Sequence, residues 1–332
     1  MNLSDCLNAD VFVSSPQERT EPEQMWTDAR DSRVIPESLY HLYRETNYLS
    51  PSGIAGWETE SGKVVSGYFS RVVRSLAECV IESSNLNNDM LMLLSETYTP
   101  LKRARGESWD RDAPRKFRSA FRLWLIDVTG ALDSLAEITG ILLPGAVKDL
   151  GVGHGASGPL LKWASSESQT AQGVIDPITH YAETLRVGLH AHVTLEPRHD
   201  WLRLVRIYRN KLTHFGHQAF VNFGLQGPDS EVYYFLPREW PFNPEKYMTL
   251  ATPLSTEDAA MSVRRHLTES LVSVDTATFL QESSRRLGAL LETALGHLLA
   301  TYRHIHILRV GEIASQIQKT TNVMFEDFSA SG

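Results

Sequence analysis

The sequence predicts an all-α protein: an up-and-down bundle of long helices with a β-hairpin inserted after one of them. Three observations carry this. Apolar residues recur at three- and four-residue steps over most of the chain beyond residue 63. The period shortens to two only around residues 218–237, on either side of Gly227-Pro228-Asp229-Ser230. The 332 residues are 42% apolar and 22% charged, which supports a sizeable packed core and excludes disordered and disulfide-stapled classes.

Residues 1–62 carry 11 acids against four arginines, and Pro16, Pro22, Pro36 and Pro51 interrupt them. They read as an acidic, loosely structured arm with one short helix near Glu37–Glu45. The helical domain is expected over 63–320, with a tail at 321–332. Val64, Tyr68, Val72, Leu76 and Val80 share one helix stripe. Ser83-Ser84-Asn85 reads as a break, and a second helix is expected from about Leu86 to Arg105. Pro114 suits a helix first turn, and Phe117, Phe121, Leu125, Val128, Leu132, Leu135 and Ile138 continue the stripe to about Gly140–Pro144. Further helices are expected at about Ile178–His190 and Asp200–Thr213. After the hairpin, Ser255-Thr256-Glu257-Asp258 resembles an N-cap ahead of a helical region that ends near Lys319.

The net charge of −8 argues against wholesale coating by nucleic acid, although residues 102–122 sum to +5 and leave room for a local basic groove. No run approaches the ~18 apolar residues of a membrane span. Met1-Asn2-Leu3-Ser4-Asp5 lacks signal-peptide character, and Cys6 and Cys79 make no disulfide framework. A reduced, cytoplasmic setting without membrane association is the expectation.

Several motifs fail on context. Gly153-His154-Gly155-Ala156-Ser157-Gly158 has dinucleotide-loop spacing, but Pro144–Leu150 before it is no strand, so a flexible helix connection is expected. His190-Ala191-His192 and His304-Ile305-His306 lack the spacing and cysteine company of a zinc site, and His297 and His304 share a helix face only at seven residues. No metal or cofactor is expected.

The informative run is Trp201–His217. Arg203, Arg206 and Arg209 step by three and form a basic stripe, while Leu204 with Tyr208, and Val205 with Leu212, face inward. Arg209 and His214 lie just over one turn apart, close to a helix end at Gly216. A cation that never deprotonates beside a group titrating near neutrality suits phosphodiester chemistry. Arg209-Asn210-Lys211-Leu212-Thr213-His214, followed by Gly216, resembles the Arg-x4–6-His signature of the HEPN superfamily. That superfamily consists of helical proteins and includes many prokaryotic ribonucleases; the form here is closest to abortive-infection and toxin members. The family favours a polar residue after the arginine, here Asn210. Arg186 and His192 also match the bare spacing, but Val187 follows that arginine.

The resemblance implies a metal-independent endoribonuclease, a homodimer with two motifs in one cleft, and a setting in phage defence or growth arrest with an antitoxin or sensor partner. It assigns catalysis to Arg209, His214 and Asn210. Arg206, Arg203, Lys211 and His217 would bind RNA, and Tyr208 or Phe215 would stack an unpaired base, with core packing favoured for at least one of the two. Some family toxins carry a modifiable tyrosine two residues after the histidine; Gly216 stands there in this chain. The alternative reading is a non-catalytic helical module that binds RNA or protein through the same basic face.

Overall fold

The computed structural model describes residues 28–32, 34–47, 60–103, 113–147, 150, 157–166, 177–196, 199–215, 223–226, 232–238, 273–304 and 317–318. Helices dominate them: α1 (Glu37–Asn47), α2 (Glu60–Arg103), α3 (Ala113–Leu142), α4 (Ser157–Ser165), α5 (Pro177–Val193), α6 (Trp201–Phe215) and α7 (Thr276–His304). No described helix is long and apolar enough to cross a membrane.

The centre of the fold is the α2/α3 pair. Tyr68 Oη donates to Glu137 Oε2 at 2.9 Å, and further along Cys79 meets Gly130, so the two helices run antiparallel. Val65, Phe69, Val73 and Leu76 of α2 are fully buried opposite Leu125, Leu132, Leu135 and Ile138 of α3. The break expected at Ser83-Ser84-Asn85 does not occur, and α2 is one helix of 44 residues. Ser83 Oγ donates to Val80 O at 2.9 Å, so the hydroxyl bonds back into its own helix instead of diverting the backbone. α3 stops where expected. Leu143-Pro144-Gly145-Ala146 closes a turn in which Ala146 N donates to Leu143 O at 3.1 Å, and Gly145 has a φ of 77°. Pro then Gly at the two central positions is the pattern of a type II turn, and positive φ explains the glycine.

The acidic arm is not loose throughout. Ile35, Leu39, Leu42 and Tyr43 are buried, and α1 packs on α2 and α7. Residues 35–43 therefore take part in the helical core. α7 lies along the α2/α3 pair, with Phe69 and Tyr302 stacked at 5.8 Å and Phe279 edge-on to Trp124 at 5.9 Å.

An isolated hairpin insertion is not supported. The described strands β1 (Phe223–Gln226), β2 (Val232–Pro237) and β3 (Ser273–Asp275) form one antiparallel sheet in the order β1-β2-β3. Phe223 pairs with Phe235 and Leu236 with Val274. β3 lies within the region expected to be helical and leads straight into α7. Asp275 caps α7, its Oδ1 accepting from Thr278 N at 2.9 Å and from Thr278 Oγ1 at 2.8 Å. The expected cap at Ser255, the turn at 227–230, the Gly-rich residues 151–156 and the tail at 321–332 lie outside the described residues.

Gly130 sets the α2/α3 spacing: a Cβ there would sit 2.9 Å from Cys79 Sγ. Gly130→Ala is expected to lose about 1–2 kcal/mol in urea unfolding, because overpacking outweighs the helix-propensity gain of about 1 kcal/mol. In a Cys79→Ala background the same change is expected to stabilise. Equal effects in both backgrounds would show that the contact does not set the spacing.

Candidate functional site

α6 is amphipathic in the strict sense. Trp201, Leu202, Leu204, Val205 and Tyr208 are buried, while Arg203, Arg206, Arg209 and Asn210 are exposed. Asp200 starts the helix, its Oδ1 accepting from Arg203 N at 3.1 Å and its carbonyl from Leu204 N at 3.2 Å. The inward face meets an aromatic group on two other helices. Tyr208 is edge-on to Phe121 of α3 and to Phe279 of α7, each at 5.8 Å, and Phe121 stacks on Trp124 at 5.7 Å. Of the two roles read for Tyr208, inward packing with Leu204 and base stacking, the ring takes the first here, with both edge-on contacts inside the protein.

The arginine stripe follows the expected register. Arg209 Nη1 donates to Asn210 Oδ1 at 3.3 Å, so the two exposed polar groups after buried Tyr208 touch. Arg206 reaches back over the first turn of α4, where a Cβ on Gly158 would lie 3.9 Å from its Nη2. That first turn is held to α3 by Ser157 N, which donates to Asp133 Oδ1 at 2.8 Å. His214 and Lys211 lie within α6, so the helix continues past both before ending at Phe215. Positions 209 and 214 are therefore separated by about 7.5 Å along its axis. The side chains of Lys211 and His214, and all of His217, lie outside the described residues.

One residue escaped the sequence reading. Arg238 follows the end of β2 and is half-buried, with Asp200, Arg203 and Tyr208 as its electrostatic neighbours. Burial pulls its pKa below the ordinary arginine value, and Arg203 pulls the same way, while Tyr208 and Asp200 oppose them. The guanidinium stays charged regardless. No local pattern marks this position.

The second Arg–His pair has a different fate. Arg186 is buried; its Nε and Nη2 donate to Glu183 at 2.8 and 2.7 Å, and Nη1 donates to Ser166 O. Its donors face protein, in contrast to the exposed Arg209. His190 Nδ1 lies 3.0 Å from Ala164 O, and since a carbonyl only accepts, the ring donates. His192 Nε2 lies 3.0 Å from Thr293 Oγ1. That hydroxyl already gives its proton to Ala289 O at 3.0 Å, so His192 also donates. Both histidines of the His-Ala-His pair therefore bind neighbouring helices. His297 packs at the α5/α7 crossing, 2.8 Å from where a Cβ on Gly188 would stand. Among the described residues no group of three His, Cys, Asp or Glu side chains could hold a metal ion.

No family model, curated protein or solved structure matches the chain.

His192 supplies a test of the helix packing that backs this region. Burial, and then Arg286, lower its pKa below 6.5. The folded chain thus resists a proton that the unfolded chain accepts, so stability is complete above about pH 6.5 and falls as the pH drops below it. His192→Gln is expected to flatten the pH dependence of the urea midpoint between pH 7 and 5. An unchanged profile would exclude His192 as its source.

Proposed function

We propose that the chain is a metal-independent endoribonuclease that cuts RNA by attack of a ribose 2′-hydroxyl on the neighbouring phosphodiester. The observation carrying this reading is the exposed row Arg203, Arg206, Arg209 and Asn210 on a helix whose opposite face is locked in the core. Such a row offers fixed donors to phosphate oxygens at low conformational cost. The resemblance of Arg209–His214 to the HEPN signature supplies the reaction class.

In this mechanism Arg209 grips a nonbridging oxygen of the scissile phosphate and stabilises the charge that builds on the phosphorane. Asn210, in contact with Arg209, orients that guanidinium. His214 takes the 2′-hydroxyl proton as O2′ bonds to phosphorus, or delivers a proton to O5′ as the P–O5′ bond breaks. The products are a 2′,3′-cyclic phosphate and a 5′-hydroxyl, with protons and charge in balance. A homodimer bringing two such motifs together would provide one acid and one base. Arg206, Arg203, Lys211 and His217 would hold flanking phosphates, and Tyr208 would serve only by fixing the helix. Phage defence or growth arrest, with an antitoxin or sensor partner in the cytoplasm, is the setting this chemistry suits.

The test is incubation of purified protein with total RNA in EDTA, followed by end-group analysis. Cleavage leaving 2′,3′-cyclic phosphate is expected. His214→Ala should reduce the rate about 10²–10⁴-fold and Arg209→Ala about 10²–10³-fold, with melting temperatures unchanged. Cleavage that requires a divalent ion, or that survives both changes, would rule the proposal out. Salt-dependent RNA binding without turnover would identify a binding module instead.

A further inference from the structure

We propose that Arg118 and Arg122 of α3 grip phosphates of a single-stranded RNA that continues from the Arg209 end of α6. The nature of the ligand rests on the ribonuclease reading; the shared face rests on how α3, α4 and α6 pack. Arg118, Arg122, Thr129 and Asp133 recur at helical spacing and share one side of α3. The C-terminal end of that stripe carries α4, because Ser157 N donates to Asp133 Oδ1 at 2.8 Å. Arg206 of α6 lies over the same first turn of α4, its Nη2 3.9 Å from a Cβ position on Gly158. Further along α6, Tyr208 meets Phe121 of α3 at 5.8 Å. α6 therefore runs from the Asp133 end of α3 toward its N-terminal end. Arg118, about one turn before Phe121, stands on the side toward which Arg209 and the rest of the motif continue.

Arg118 is half-buried, and its Nε is sealed from water without meeting an acceptor. Among the described residues no hydrogen bond or ion pair holds its guanidinium. Swinging it onto a phosphate beside Arg122 therefore gives up no protein contact of that kind and supplies a hidden N–H with an acceptor. Arg122, one turn further along α3, is exposed. Phe117 and Phe121, buried and stacked at 6.1 Å, anchor the same two turns in the core. The cations are thus carried by a fixed stretch of helix and not by a loop. Both belong to the 102–122 run, whose charge of +5 stands against an acidic chain and has no part in the cleavage step. An RNA strand supplies the complementary charge. Phosphate contacts of this kind position a strand without reading its bases.

The experiment uses the full chain carrying His214→Ala, to prevent cleavage, and a fluorescein-labelled 12-nucleotide oligouridylate. Binding is measured by fluorescence anisotropy between about 50 and 300 mM KCl, the range over which phosphate contacts register. Arg118→Ala and Arg122→Ala are each expected to lower the slope of log affinity against log salt by about 0.7. Each should weaken binding about fivefold at about 0.1 M salt, as loss of one phosphate contact should. Arg118→Lys keeps the charge and should keep the slope. Arg74 is exposed on α2, on the side away from Tyr68 and Cys79, which meet α3. Arg74→Ala should leave the slope unchanged. If Arg118→Ala proves unfolded, the exposed Arg122 alone decides. An unchanged slope in either folded alanine variant, or no binding at the lowest salt, would overturn the proposal. So would an equal fall in Arg74→Ala, which any surface arginine would then share, or in Arg118→Lys. Cleavage by the unmutated chain is read separately. Slopes as expected with no cleavage would leave the α3 contacts standing and sink the ribonuclease reading; cleavage with unchanged slopes would do the reverse.

Discussion

The candidate site depends on how one helix is clamped. Tyr208 stands between Phe121 and Phe279, and Val205 is fully buried one turn before it on the same side. Those contacts come from α3 and α7, which themselves pack against α2. Rotation of α6 about its axis would pull Tyr208 out of an aromatic group that also includes Trp124. The arginines do not face solvent through any attraction of their own. They face it because the residues between them cannot.

The same bundle holds a buried arginine and an exposed one in similar sequence settings. Arg186 and Arg209 sit in sequence patterns of nearly the same spacing to a histidine. Arg186 is answered by a carboxylate one turn away and by a carbonyl at the end of α4, so its charge is neutralised where it lies. Burying an unpaired guanidinium would be prohibitive, and the pairing is the condition of its burial. Arg209 touches the neutral amide of Asn210 from an exposed position. Near the other end of α6, Asp200 Oδ1 caps the helix by accepting from Arg203 N. The charge of the chain is negative as a whole, so a positive face exists only through this segregation.

Much of this was legible from residue order. The α3 stripe from Phe117 to Ile138, its stop at Pro144-Gly145, and the two faces of α6 follow from local rules, and local rules act within a few residues of each other. The misses share a cause as well. Ser83-Ser84-Asn85 looks like a break until Ser83 is seen bonding to Val80 O, which only a helix already committed to packing against α3 makes worthwhile. Three residues, Ser273–Asp275, are too few to show a period, and they are a strand only because β2 offers an edge.

Sequence alone therefore determined the helical class, the amphipathic register of α6 and the order Arg209-Asn210-Lys211-Leu212-Thr213-His214, because periodicity, capping and motif order are properties of neighbouring residues. The tertiary structure decided that Arg186 is buried against Ser166 O while Arg203, Arg206 and Arg209 stay exposed, and which helices supply the rings around Tyr208. Those outcomes depend on residues 20 to 87 positions apart, brought together by burial of apolar surface, and no local pattern carries that information.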